Sequence, residues 1–332
     1  MAFEKIFGNE AVKKQLVSYL ADGHFPHAIL LEGPAGCGKK TLAREIAKAA
    51  ICSGGLLGDD RPCGGCSDCI KAEAGSHPDI QEIIPDKDNT QYKVKAIRQL
   101  REEAYLLPNE ASKRVILLFE GEKLREDAQN ALLRIIEDPP QHLMFIVTCE
   151  SRSQLISTIQ SRVVCLSMKG VSTEEALPYL REQFPKVSDE DFASSMAMFD
   201  GCIGRVAESL KGGDFSETKS LIEEGANCLI QNTELPLLMW ANKMVKKKDL
   251  LIAVIHGLRL VLRDAVAMIE GEQSRISVAP DKAVMIAQSL TGVQIIACID
   301  ELETQEHYLS GNMNAALQNT LMCARLRAAL GR

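Results

Sequence analysis

Aromatic residues are scarce: Phe, Tyr and Trp together make up 5% of the chain, with Trp240 the single tryptophan. A core rich in rings is therefore excluded, and the interior must be built from Leu, Ile, Val and Ala, which leans helical. No run approaches the ~18 apolar residues that a membrane span needs. The first ten residues carry Glu4, Lys5 and Glu10 and lack the apolar stretch of a secretory signal. A cytoplasmic chain without a membrane partner is expected. Excess positive charge is missing too. Lys and Arg number 38 against 45 Asp and Glu, a formal net charge of −7, which argues against a stand-alone DNA binder but leaves room for a basic face inside an assembly. Internal repeats and low-complexity tracts are absent.

What is present fits an ordinary globular protein, with 46% hydrophobic and 25% charged residues. At ~150 residues per domain, 332 residues suggest two or three domains. Eleven cysteines without a secretory signal read as reduced thiols or metal ligands rather than disulfides. Cys37, Cys149, Cys165, Cys202, Cys228, Cys298 and Cys323 are scattered, and each reads as a small buried hydrophobe.

Up to about residue 167, short apolar runs alternate with helical patterns. Phe25–Glu32, Val115–Phe119, Leu143–Thr148 and Val163–Leu166 read as buried strands. Lys39–Ala50 reads as a helix, and Ala128, Ala131, Leu132, Ile135 and Ile136 form a helical stripe stopped by Pro139 and Pro140. This order predicts an α/β domain with a parallel sheet over residues 1–167. Beyond it the strands vanish. Ser172 and Glu175 form a capping-box pattern, and Ser188 opens a further helix, so a small helical domain is expected over 168–212. An all-α domain is expected over 214–332, with Leu250–Ile269 its clearest helix and Asn314–Leu330 its last.

Gly33-Pro34-Ala35-Gly36-Cys37-Gly38-Lys39 matches GxxxxGK between a strand and a helix, the context of a P-loop. Glycines let the backbone N–H groups turn inward, the helix N-terminus favours negative charge, and Lys39 is placed to meet the β/γ-phosphates of ATP or ADP. The next position should carry a hydroxyl for Mg²⁺, yet it is Lys40, with Thr41 one place later. One residue of a helix rotates a side chain by ~100°, so Thr41 is no simple substitute. Phe119 stands where a metal-binding aspartate would follow the second apolar strand, with Glu120 next. Glu120 has two readings, a degenerate water-activating carboxylate or a solvated strand end. The expectation is weak nucleotide binding, poorly held Mg²⁺ and little or no ATP hydrolysis.

Cys63-Gly64-Gly65-Cys66-Ser67-Asp68-Cys69 holds two overlapping CxxC steps, with Cys52 eleven positions upstream. Four thiolates at this spacing close a tetrahedral Zn²⁺ site with no open position, hence a structural one, inside an insertion at about 51–80. A redox disulfide or unliganded thiols are the alternatives.

Taken with FEKIFGNEAVKKQL near the N-terminus, HPDI at His77–Ile80, AQNALLRIIEDPP at Ala128–Pro140, FIVTCE and TIQSRVV at Thr158–Val164, these motifs resemble the delta-prime branch of the bacterial DNA polymerase III clamp-loader family of AAA+ proteins. The resemblance spans the whole chain. It implies an AAA+ domain, a helical lid and a helical collar that packs with other subunits. It implies that Thr148 holds the sensor 1 position and that Arg205, within GCIGRV, holds sensor 2. It further implies that Arg162 of the SRC-like motif reaches a neighbour's ATP site as an arginine finger; Val163 departs from the usual Cys there. The implied partners are gamma/tau-type motor and delta subunits in a hetero-pentameric ring, the sliding clamp, and primer-template DNA. The motor subunits themselves are the alternative membership, but they carry GKT or GKS and an Asp-Glu pair where this chain has Lys39-Lys40 and Phe119-Glu120.

Among the remaining features, Lys93, Lys95, Arg98 and Arg101 mark an amphipathic helix, which in that family lies near DNA phosphates but with Glu102 and Glu103 suits a solvated face. Lys246-Lys247-Lys248 reads as a solvated helix flank. His27, beside an apolar strand, reads as a packed structural histidine.

Overall fold

The computed structural model describes residues 3–22, 25–54, 61–85, 92, 94–212, 214–231, 233–245, 247–272, 276–309 and 315–331. Lys93, Lys246 and Gly311–Asn314 lie outside these, as do the side chains of Lys95, Arg98 and Arg101. The chain divides into two compact units, residues 1–171 with 202–204, and residues 172–201 with 205–332.

The first unit is α/β. Its elements in chain order are α1 (Glu10–Ala21), β1 (Ala28–Glu32), α2 (Lys39–Ile51), α3 (Ser67–Glu73), β2 (Ile80–Ile83), α4 (Val94–Glu103), β3 (Arg114–Leu118), α5 (Glu126–Glu137), β4 (Leu143–Cys149), α6 (Ser157–Gln160) and β5 (Val164–Ser167). All strand pairs are parallel, in the order β2-β3-β4-β1-β5. Because side chains alternate across a strand, each strand feeds two cores. Ile29, Leu31, Val115, Leu117, Met144 and Ile146 pack with Leu16 of α1 and Leu42 and Ile46 of α2. Leu30, Ile116, Leu118, Phe145 and Val147 pack on the other side with Ile97, Leu100, Leu132 and Ile135 from α4 and α5. Burial on both faces is why these strands read as continuous apolar runs.

β2 carries no such run. Its sequence IQEI is half-buried at the sheet edge, and its place is set by pairing with β3, Ile80 opposite Val115. Just before it, fully buried Asp79 accepts backbone N–H bonds from Asn109 (2.6 Å), Glu110 (2.8 Å) and Ala111 (2.9 Å), fastening the segment that leads into β3. His27 corrects its expectation. The side chain is exposed, and the residue contributes a backbone carbonyl to Phe145 N–H at 2.7 Å; its position one residue before the strand, outside the two-sided core, explains this.

The second unit is helical: α7 (Thr173–Gln183), α8 (Asp189–Met198), α9 (Ile203–Gly212, whose first two residues belong to the first unit), α10 (Asp214–Ile230), α11 (Glu234–Asn242), α12 (Lys248–Ile269), α13 (Pro280–Ser289), α14 (Gly292–Leu309) and α15 (Ala315–Ala329). Ser172 and Glu175 do form a reciprocal capping box, and Ser188 caps α8 through Asp191 N–H at 3.1 Å. Trp240, fully buried, donates Nε1–H to the Leu221 carbonyl at 2.7 Å. Asn319 of α15 ties to α11 through the Ala241 carbonyl at 2.8 Å. No helix among the described residues is long and apolar enough to cross a membrane.

Candidate nucleotide and subunit site

The C-terminal ends of β1, β3 and β4 bring the sequence-predicted residues to one edge of the sheet, where open parallel sheets place ligands. After β1 the chain enters the loop with Gly33, Gly36 and Gly38 at φ 150°, 77° and 97°. A Cβ on Gly33 would lie 2.3 Å from the Met168 carbonyl oxygen, so this position admits only glycine. Gly204 closes on the loop from another side, its N–H donating to the Gly36 carbonyl at 2.9 Å. Lys39 folds its ammonium onto the loop, donating to the carbonyls of Gly33 (2.5 Å) and Pro34 (2.8 Å).

Lys40 begins the exposed side of α2, and its ammonium reaches Glu120 Oε1 at 2.5 Å. Lys123 takes the other oxygen of the same carboxylate, also at 2.5 Å. Burial acts to raise the Glu120 carboxyl, but the hydrogen bonds from Lys123 and Lys40 outweigh it and hold the group below the usual carboxylate range. Glu120 adopts φ 58° and ψ 54°, a left-handed conformation that costs a non-glycine residue about 1–2 kcal/mol. It is pinned there through its N–H, which donates to Thr148 Oγ1 at 3.0 Å on β4. Thr148 itself is buried. Thr41 faces solvent.

Phe119 is fully buried, and its ring lies under two cations: Lys40 Nζ at 5.7 Å and Arg44 Cζ at 5.3 Å from the centroid. The two departures noted in the sequence are thus in contact rather than separate. A Mg²⁺ ion does not fit this donor set. The residue after the P-loop lysine and the basic residue from the turn after β3 are ammoniums, and they take both oxygens of the Glu120 carboxylate.

The cysteine lobe does fit a metal. Cys52 follows α2, Cys66 caps α3 and Cys69 lies within it, and the four sulfurs all lie within 4.8 Å of one another. Cys52 and Cys66 are 3.9 Å apart, Cys63 and Cys69 4.0 Å, close to the ~3.8 Å edge of a tetrahedron with Zn–S bonds of ~2.3 Å. Burial acts to raise the Cys66 thiol, but the N–H of Cys69 and Ser53 bring it down to about 6, which favours the ligating thiolate. A Cβ at Gly54 would lie 2.6 Å from Cys63 Sγ, so the lobe has no room there for a side chain. Against it, His77 accepts Asp79 N–H on Nδ1 and turns Nε2 toward Asp68 at 3.6 Å.

Arg162, between α6 and β5, is more than a third exposed. It donates to the Thr158 carbonyl (2.9 Å) and Ser161 Oγ (3.2 Å) and pairs with Glu137 at the end of α5 (2.9 Å). Glu137 lies inside the AQNALLRIIEDPP motif, but nothing in that run pairs it with Arg162. Arg205, in the helical unit, is half-buried and stacks over the Phe199 ring at 4.9 Å.

A five-stranded parallel sheet of this order, with a glycine-rich phosphate loop and lysine after β1, defines the P-loop class in its AAA+ form. Residues 8–172 match the family model described as DNA polymerase III, delta subunit, and the chain belongs to the clamp-loader family of DNA polymerase III subunits. It is similar to DNA polymerase III subunit gamma of Buchnera aphidicola subsp. Schizaphis graminum, 32% identical over 56% of this chain and 50% of that one. It resembles DNA polymerase III subunit tau of Bacillus subtilis, 29% identical over 67% of this chain and 37% of that one. It also resembles DNA polymerase III subunit delta' of Yersinia pestis, 30% identical over 52% of this chain and 50% of that one. The chain spans half the length or less of these relatives.

Proposed function

We propose that this chain is a delta-prime-type clamp-loader subunit of the cytoplasm that does little or no ATP hydrolysis itself and supplies Arg162 to the ATP site of a neighbouring motor. The observation that carries the reading is the Lys40 ammonium on Glu120 at 2.5 Å above buried Phe119, which puts a cation and a ring at the two positions where a P-loop motor holds its metal. A chain so built contributes chemistry by lending a group outward. Arg162 suits that task, since it is accessible and is held by a short loop and by Glu137 rather than buried. In this reading the first unit is the AAA+ domain, α7–α9 the lid (168–212) and the later helices the collar (214–332). Leu235 and Met239 on α11 and Leu317 and Leu321 on the adjoining α15 are exposed apolar residues that suit packing against other subunits. The partners are gamma/tau-type and delta subunits in a hetero-pentameric ring, the sliding clamp, and primer-template DNA met through the assembly.

Zinc is proposed as a structural ion on Cys52, Cys63, Cys66 and Cys69; when bound it supplies cross-linking of the lobe and no chemistry. ATP or ADP is proposed as a weak ligand of Gly33–Lys39, with Thr148 its degenerate sensor 1; Arg205 is a sensor 2 candidate by family resemblance alone. A second reading, an active gamma/tau-like motor using Glu120, draws on the gamma and tau names among the relatives.

The test is ATP turnover by the loader reconstituted from the source organism's subunits. Arg162→Ala is expected to leave assembly intact and slow turnover; arginine fingers of this class are worth ~10³ to 10⁵ in rate, diluted by the sites that lack this neighbour. An unchanged rate rejects the finger.

A further inference from the structure

The disagreement between this site and a divalent ion goes further than poor metal binding. We infer that the Lys40 ammonium, braced on Glu120 and the Phe119 ring, takes the charge-neutralising place of the metal, so that nucleotide polyphosphate binds this P-loop without Mg²⁺. This deepens the reading of the chain as a subunit with little hydrolysis of its own and rests on it.

The geometry is built rather than accidental. Lys40 leaves α2 one residue after Lys39, and its ammonium is fixed by a carboxylate at 2.5 Å and an aromatic face at 5.7 Å. Phe119 is fully buried with Arg44 also above it, and Arg44 is tied in turn to Glu82 by paired bonds of 2.6 and 2.8 Å. Glu120 is shared with Lys123, so within this trio two ammoniums meet one carboxylate and one positive charge is left over. A di- or triphosphate entering the glycine cradle meets that charge together with Lys39 and the N-terminus of α2. A divalent cation brought to the same place faces ammoniums where it needs oxygens, and like charge repels it. The hydroxyl-to-Lys40 and acid-to-Phe119 departures are therefore one device: the ring that displaces the metal-holding acid is the surface on which the replacement cation rests.

The experiment is calorimetric titration of the full purified chain with ADP and with ATP, in buffer freed of divalent ions on a chelating resin and again in Mg²⁺, alongside a turnover assay. The wild-type dissociation constant is expected to agree within about twofold between the two conditions. Lys40→Met is expected to weaken binding without Mg²⁺ by about tenfold, the worth of one charged hydrogen bond, and Lys40→Arg to retain most of the affinity. Tightening of wild-type binding by tenfold or more on adding Mg²⁺, absence of binding in both conditions, or a Lys40→Met affinity equal to wild type overturns the inference. Mg²⁺-tightened binding without turnover overturns the Lys40 role alone. Robust Mg²⁺-dependent hydrolysis lost in Lys39→Ala overturns the non-hydrolysing reading as well.

Discussion

Replacing Asp79 by alanine removes the clamp between the entrance of β2 and the segment before β3. The carboxylate is fully buried and accepts four bonds: the three backbone amides of Asn109, Glu110 and Ala111, and Asn109 Nδ2 at 3.1 Å. Hydrogen bonds to a charged group are worth ~1.5–3 kcal/mol each, but they share one acceptor and do not add in full. Asn109 and Glu110 are exposed, so water recovers part of the loss. The expected cost is therefore about 2–4 kcal/mol, which for a unit of this size lowers Tm by about 6–12 °C. Asp79→Asn should cost less, since one amide oxygen still accepts. The pH dependence has a definite sign. Burial acts to raise Asp79, but the Ala111, Asn109 and Glu110 amides hold it below its ordinary 3.8. A depressed carboxyl stabilises fully above its unfolded value and loses that contribution as pH falls through its folded value. The wild-type advantage over Asp79→Ala should be flat from neutral pH to about 5 and shrink only in stronger acid. Urea unfolding of both proteins across this range measures it. A variant within about 0.5 kcal/mol of wild type at neutral pH refutes the clamp.

The chain as isolated should contain close to one zinc ion, and Cys66→Ser should release most of it and loosen the lobe, as read by elemental analysis and by protease sensitivity near residues 51–80; metal-free protein with four freely titrating thiols rejects the site. At Gly204→Ala the new methyl would sit 2.8 Å from the Gly36 carbonyl oxygen and 2.9 Å from its Cα, both backbone atoms, so the phosphate loop must shift. That should cost about 1–3 kcal/mol in urea unfolding, and a neutral result contradicts the close approach.

Most of the α/β unit was legible because its signals are local. Ile29, Leu31, Val115 and Phe145 sit in runs buried on both faces, and the glycines of the phosphate loop and the CxxC steps announce themselves by spacing. β2 was not legible: Gln81 and Glu82 lie at a half-buried edge, where pairing rather than hydrophobicity decides the strand. His27 misled because adjacency to an apolar run says nothing of burial one residue before it. The departures at 40 and 119 were visible as residue types, but their mutual contact, 79 positions apart, belongs to the pairing of α2 with β3. Glu137 at Arg162 and Asp79 at the 109–111 segment were invisible for the same reason: each is a long-range polar contact with no periodicity to betray it.

The central claim is that this subunit lends chemistry instead of performing it, and one comparison tests it most directly. ATP turnover is measured in the reconstituted loader with this chain carrying either Arg162→Ala or Lys39→Ala. The account predicts that Arg162→Ala slows the assembly while Lys39→Ala leaves its rate near wild type; the reverse ranking, with Lys39→Ala the damaging change, contradicts it.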